Sequence, residues 1–179
     1  MFQKDILNLV YICRYYGLNQ VADYWEKVVD INEWQQKRIS SLVIKNLFGT
    51  LANKKLAVLG FSFKANTNDT RESPSINVSK NLLQEGAKLS FYDPKVKEEQ
   101  IFAEFDNSAD EIFVNDSASK AAEGADAILV LTEWEEFHYL DWKKIYDVMR
   151  KPYWLFDTRV YLDKEYLSNI GFKVWSLGT

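Results

Sequence analysis

The sequence predicts an α/β fold built on a doubly wound, mostly parallel sheet, with a long-helix segment in front of it. Three observations predict it. Leu56 to Leu59 is an apolar strand that stops at Gly60, crosses a polar loop and meets a helix start at Ser73-Pro74. Ser73 suits the N-cap and Pro74 the first helical position. Ala127 to Leu131 is a continuous apolar run, the pattern of a parallel strand covered on both faces. Around these two, strands and helices alternate, which implies crossover connections and a parallel sheet.

In chain order, residues 2–16 read as a helix, because Ile6, Leu9, Val10 and Cys13 recur at helical spacing and Gly17 is a stop. Asn19 is the expected N-cap of a second, long helix running to about Phe48. Its apolar residues do not form one stripe: Trp25, Ile31 and Trp34 spread around the cylinder. A helix of about 30 residues is ~45 Å long and has to bury such a surface on a neighbouring domain or on a second copy of itself. Gly49 to Asn53 is the expected boundary, giving a helical segment 1–49 and an α/β domain 50–179.

Within that domain, strand 55–60 leads to helix 74–85, which Gly86 ends. Strand 88–92 closes at Asp93-Pro94. Residues 95–105 are expected to be helical and 106–115 irregular and exposed. Asp116 or Ser117 caps a short helix ending at Gly124, and strand 127–131 follows. Asp141 caps a helix to about Met149, and 153–156 is the fourth strand. Asp163 caps a helix to about Ile170, and 173–176 is the fifth strand. In such sheets ligands sit beyond the carboxyl ends of the strands, at the switch point. Those ends carry Phe61 to Lys64, Asp93, Thr132-Glu133-Trp134 and Asp157 to Arg159.

At 179 residues and 47% hydrophobic content the chain holds one core domain plus an appended element. The net charge of −4 argues against a general nucleic-acid surface. No apolar run approaches membrane-spanning length and the first residues lack a signal-peptide pattern, so a cytoplasmic protein is expected. Cys13, the single cysteine, excludes an internal disulfide and reads as a buried side chain. His138, the single histidine, has no cysteine or second histidine to share a metal, and no metal site is expected.

The turn after the first strand has Gly60 as its only glycine, so the dinucleotide fingerprint GxGxxG is absent. Lys64 and Arg71 are fixed cations in the loop and suit a phosphorylated ligand. The alternative is a solvated surface loop. Lys64 and Arg159 both follow strands that end at the crevice, the lysine as a point charge and the arginine as a fork for two oxygens. Against this stands a pair of surface cations, or Arg159 paired with Asp157 or Asp163. Asp93 suits either a ribose hydroxyl or a turn with Pro94. Glu133 and Trp134 suit either a nucleotide pocket or helix capping and core packing.

Gly60-Phe-Ser-Phe-Lys64 followed by Asn68-Asp69-Thr70-Arg71-Glu72-Ser73 resembles the third domain of the UDP-glucose 6-dehydrogenase family, which carries Gly-Phe-Ala-Phe-Lys and an Asp-Thr-Arg-Glu-Ser run. Phe2-Gln3-Lys4-Asp5, Tyr92-Asp93-Pro94 and Phe156-Asp157-Thr158-Arg159 agree with it in order and spacing over essentially the whole chain. The resemblance implies a Rossmann-like UDP-binding domain, preceded by a long helix that links two α/β domains and builds a homodimer. It implies that Phe63, Lys64 and Arg159 contact the UDP-sugar. It implies that Phe2, Gln3, Lys4 and Arg71 lie at the NAD cofactor, held mainly by a preceding domain, and that Asp5 assists catalysis. The family's attacking cysteine precedes Phe-Gln-Lys-Asp, where this chain has Met1. A thioether has no ionisable proton and cannot form the thioester, and Cys13 lies more than two helical turns further on.

The resemblance therefore implies the carboxy-terminal part of an enzyme that oxidises UDP-glucose to UDP-glucuronate with NAD. It also implies that these 179 residues are inactive alone. UDP-glucose or UDP, a second copy and a separate N-terminal half are the partners it admits, with neither nucleic acid nor membrane among them. Two other readings stay open: a non-enzymatic nucleotide-sugar-binding or dimerisation module, and the corresponding part of a UDP-N-acetyl-mannosamine or GDP-mannose dehydrogenase.

Overall fold

The computed structural model describes residues 2–105 and 109–178, with the side chains of Phe2 and Ala109 left aside. The chain forms two compact units, Met1–Ile39 and Ser40–Thr179. The division falls inside the long helix, whereas the sequence placed the boundary after it, at 49/50. The reason is burial: Val43 and Leu47, in and just after the last turns of that helix, have no exposed surface and are counted with the second unit.

The first unit contains α1 (Phe2–Tyr15) and most of α2 (Asn19–Asn46). Gly17, at φ 73°, turns the chain between them. Val10, Cys13 and Ala22 form a small core, with Ile6, Leu9 and Trp25 packed on it. Cys13 is thus buried, as its place in the apolar series indicated. Asn19 is not the N-cap. It is already helical, and the Leu18 carbonyl accepts the first helical hydrogen bond, from Ala22 N at 3.0 Å.

The second unit carries a six-stranded sheet in the order β3-β2-β1-β4-β5-β6. The strands are β1 (Lys55–Leu59), β2 (Lys88–Tyr92), β3 (Ile112–Val114), β4 (Ala127–Val130), β5 (Trp154–Asp157) and β6 (Lys173–Ser176). Every pairing is parallel. The connecting helices are α3 (Pro74–Gln84), α4 (Glu98–Phe102), α5 (Ala118–Ala122), α6 (Trp142–Val148) and α7 (Lys164–Ile170). Ala57 and Leu59 of β1, Ile128 and Val130 of β4 and Leu155 of β5 share one face with Ala121, Trp142, Ile145 and Leu167. Leu56 and Val58 alternate with them and are equally buried, so the central strand is covered on both sides. Phe61, Phe91 and Phe105 form an aromatic cluster, with Phe61 and Phe91 edge to face at 5.4 Å.

The helix starts follow the sequence closely. Ser73, Ser117, Asp141 and Asp163 each accept a backbone N–H of the helix they precede. Within the second unit, two expectations fail. The stretch 106–115 is not irregular throughout. It contains β3, whose Leu89↔Ile112 and Phe91↔Val114 pairings extend the sheet by an edge strand. Three residues between Glu111 and Asn115 are too few to show a periodicity. The helix expected over 95–105 is only Glu98–Phe102, because Lys95 N and Val96 N are drawn onto the Asp93 carboxylate, each at 2.9 Å.

β1 and β4 are the neighbours from which the chain continues to opposite sides, and their ends approach very closely at Gly60. It has φ 91°, and a Cβ there would lie 2.5 Å from Thr132 Cβ and 2.7 Å from Thr132 N. Gly124, at φ 66°, faces open space. Gly60→Ala is therefore expected to cost about 2–5 kcal/mol from overpacking and backbone strain together. Gly124→Ala should cost only the backbone part, about 1–2 kcal/mol. Urea unfolding of both variants checks this, and equal losses would show that the contact with Thr132 is unimportant.

Candidate nucleotide-binding edge

The loop after β1 is built on its own hydrogen bonds. Gly60 N donates to Tyr92 O at 2.9 Å, and Ser75 Oγ donates to Gly60 O at 3.1 Å. The start of α3 is thereby tied to the end of β1. Thr132 Oγ1 donates to Ser62 O at 2.8 Å, fastening the loop to the end of β4. Phe63 N donates to Asp69 O at 2.8 Å and closes the segment between them. Phe63 is half-buried and Lys64 is exposed. Among the described residues the Lys64 ammonium has no ion-pair partner.

Asp93 holds this loop down. Its side chain is buried, and Oδ2 accepts from Phe61 N at 2.7 Å, Ser62 N at 3.0 Å and Trp134 Nε1 at 3.1 Å. Oδ1 takes Lys95 N and Val96 N. Five donors fill the carboxylate's acceptor capacity, so the turn reading of Asp93 is the one the geometry supports and no ribose hydroxyl is needed to satisfy it. Trp134 is likewise core: its ring is 5% exposed and its indole N–H is spent on Asp93. Beside it, Tyr92 donates to Glu136 Oε1 at 2.7 Å. Burial first and that carboxylate second push the phenol well above its ordinary range.

The turn after β5 presents Arg159. Asp157, 1% exposed, accepts from Arg159 N at 3.0 Å on one oxygen and from Tyr161 N and Leu162 N at 2.8 and 2.9 Å on the other. The Arg159 side chain pairs with neither Asp157 nor Asp163, which caps α7. Its Nε donates to Leu131 O at 2.8 Å and lies 3.2 Å from Glu133 Oε2. The second contact is an ion pair without hydrogen-bond alignment, for Glu133 Oε2 is buried with no hydrogen-bond partner. Lys64 and Arg159 thus follow the carboxyl ends of β1 and β5, on either side of β4.

Arg71 differs. Its guanidinium forks onto Asp69, with Nε to Oδ1 at 2.9 Å and Nη2 to Oδ2 at 2.7 Å, and Arg71 N adds a third bond at 3.0 Å. This is a salt bridge within the loop, in a largely exposed setting. A cavity of about 490 Å³ opens along this part of the loop, lined by Thr67 to Arg71 and Gln100. It is not lined by Phe63, Lys64 or Arg159. Gln3, Lys4 and Asp5 lie on α1 in the other compact unit, Gln3 half-buried and the other two exposed. Met1 and the side chain of Phe2 lie outside the described residues. Among the described residues no cluster of three metal-ligating side chains occurs, and no helix is long and apolar enough to cross a membrane.

Asp93, Asp157 and Thr132 are the residues whose roles the sequence did not separate. A signal existed in part, since aspartate at the end of a strand followed by a turn favours bonding to N–H groups two and three residues on. The partners across the sheet, Phe61, Ser62 and Trp134, carry no local mark.

A parallel sheet in this strand order, with cations at the carboxyl ends of strands on both sides of the switch point, defines a nucleotide-binding domain of the doubly wound class. Residues 57–164 match the UDP-glucose/GDP-mannose dehydrogenase family, UDP binding domain, and the chain belongs to that family. Over 99% of its length it is 47% identical to UDP-glucose 6-dehydrogenase 2 of Oryza sativa subsp. japonica and 47% identical to UDP-glucose 6-dehydrogenase of Caenorhabditis elegans. It spans 40% and 38% of those proteins. Among solved structures, a UDP-glucose dehydrogenase from Pyrobaculum islandicum superposes with a TM-score of 0.67 at 26% identity, over 79% of this chain and 31% of that one. The UDP-N-acetyl-mannosamine dehydrogenase of Staphylococcus aureus, at 23% identity and a TM-score of 0.66 over 89% of this chain and 34% of that one, shares the fold.

The Asp69–Arg71 fork has a pH signature. Hydrogen bonds from the Arg71 side chain first, and from its backbone N–H second, pull the Asp69 carboxyl down to about 2. A depressed carboxylate contributes stability above its unfolded value of about 3.9 and loses it as pH falls through its folded value. Carboxyl NMR is expected to place the Asp69 midpoint near 2, as the bonds dictate. Arg71→Ala should raise it toward, but not fully to, the free value of about 3.9, because the backbone N–H of residue 71 still donates to Asp69. An unchanged midpoint in the variant would remove the fork as the cause.

Proposed function

We propose that the chain is the UDP-recognising part of an NAD-dependent UDP-glucose 6-dehydrogenase, which oxidises UDP-glucose to UDP-glucuronate. The single observation that carries this reading is the placement of Lys64 and Arg159 at the carboxyl ends of β1 and β5, inside a domain that belongs to the family. In this reading Lys64 supplies a point charge to the diphosphate or sugar oxygens. Arg159 donates from its Nη atoms, which have no partner among the described residues. Phe63 packs against the ligand beside Lys64.

NAD, when bound, supplies the hydride acceptor. Gln3, Lys4 and Arg71 are this chain's groups of the right chemistry for its polar and phosphate parts, with Phe2 next to Gln3 in sequence. Arg71, forked onto Asp69 and largely exposed, adds little affinity by itself. The domain lacks a glycine-rich turn, which fits NAD being held mainly elsewhere. Asp5, by the family's pattern, assists the chemistry. A cytoplasmic site of action and a role in supplying polysaccharide precursors accompany this reading.

We also propose a homodimer through the long helix. Tyr24, Ile31 and Trp34 on α2 are 68%, 63% and 59% exposed, and apolar surface of that extent favours burial on a partner copy. Light scattering of the 20.9 kDa chain is expected to give twice its mass, and Trp34→Glu should shift the population toward monomer. A wild-type monomer at tens of micromolar would count decisively against the dimer.

For the ligand, calorimetry with UDP is expected to show binding that Arg159→Ala weakens by about 1–3 kcal/mol, or 5- to 150-fold. Wild-type affinity in the variant would take Arg159 out of the site. Binding of GDP as tight as UDP would favour the GDP-mannose branch of the family instead.

A further inference from the structure

We propose that Asp157 is a positioning residue for Arg159: its buried carboxylate holds the turn after β5 in the one shape that aims the guanidinium at an anionic ligand. The proposal rests on the reading that Arg159 meets the diphosphate. Three observations carry it. Asp157 is 1% exposed, and its three short bonds all go to backbone N–H groups of the turn, those of Arg159, Tyr161 and Leu162. Val160, the residue these bonds bracket, has φ 54°. A β-branched residue in the left-handed region is a genuine outlier and persists only where its surroundings over-determine it. The same turn sends Arg159 Nε back to Leu131 O at 2.8 Å.

The geometry follows from these bonds. The carboxylate fixes the Arg159 backbone, and the Leu131 carbonyl fixes the plane of the guanidinium through Nε. Both Nη groups are then left to donate in a preset direction. Such preorganisation spares the ordering cost that a free arginine meets on binding. Val160 itself is 62% exposed, so no packing of its side chain accounts for its strained backbone. Thr158 Oγ1 donates to Val130 O at 2.8 Å and anchors the beginning of the turn to β4. The carboxylate reaches both sides of Val160.

The test is a double-mutant cycle on the full chain, with UDP as the probe and calorimetry as the readout. Asp157→Asn keeps the shape but replaces one acceptor oxygen by an amide that cannot accept. It is expected to weaken UDP about 10-fold or more, and Arg159→Ala similarly. The double variant should be no weaker than Arg159→Ala within about 2-fold, because residues acting through one interaction are not additive. A second readout is the Arg159 Nε–H resonance. It is expected to be protected from exchange in the wild type and to lose that protection in Asp157→Asn, while the remaining spectrum keeps its dispersion.

An unchanged UDP affinity in Asp157→Asn overturns the proposal. So does an equal loss with and without Arg159, which would make Asp157 a general stabiliser of the domain. If Arg159→Ala binds UDP normally, the reading of the site fails, and the positioning role fails with it. Should Asp157→Asn not fold, the same cycle is run in a Val160→Gly background, where glycine adopts the left-handed conformation without strain.

Discussion

The carboxylate of Asp93 is the interaction on which the edge of this domain depends. It stands at the end of β2 and gathers N–H groups from both sides of the switch point: Phe61 and Ser62 after β1, Trp134 after β4, and Lys95 and Val96 after itself. A buried carboxylate is tolerated only when its oxygens are fully used, and here five donors use them. The same bonds remove five N–H groups from the need for water. The loop can therefore leave the sheet at Gly60, against the backbone of Thr132, with its polar groups paired.

Asp157 repeats the device at the end of β5 with three N–H groups. Both aspartates spend their charge on backbone N–H groups, Asp93 also on the Trp134 indole, rather than on cationic side chains. This explains why Arg159, two residues from the buried Asp157, is not neutralised by it. Arg71 shows the contrary case, where Asp69 is a turn residue whose oxygens face outward and take the guanidinium directly. Lys64 thus has no ion-pair partner among the described residues, Arg159 meets Glu133, and Arg71 is bound to its own loop. Glu133 moderates Arg159 through a single contact of 3.2 Å, which orients it with little loss of donors.

The opposite end of the sheet shows that a similar acid does other work elsewhere. Asp126, 4% exposed, accepts from Lys55 N at 2.9 Å and pairs with Arg150 Nη2 at 2.6 Å. That pair joins the entry of β1 to the chain after α6 and faces away from the carboxyl ends of the strands. Buried aspartates thus fasten both ends of the central strand, and at the carboxyl end they shape the loops that carry Lys64 and Arg159.

The sequence by itself determined the repeating unit, its helix starts and the identity of the rim. Ser73, Ser117, Asp141 and Asp163 cap because a short polar side chain before a helix finds the free N–H groups of its first turn. That is a local property, visible in local sequence. Leu56 to Leu59 and Ala127 to Leu131 read as covered strands because unbroken apolar runs admit little else. The placement of Lys64 and Arg159 followed from their positions just after strands. Only the tertiary structure decided which acids they meet. The sequence offers Arg159 the acids Asp157 and Asp163, but its side chain lies on Leu131 O and Glu133, because pairing across β4 and β5 brings residues 28 and 26 positions apart into one turn's reach. The edge strand Ile112–Val114 was likewise settled by pairing. Contacts between distant segments leave no periodicity in the chain, so their partners become definite only when the sheet is assembled.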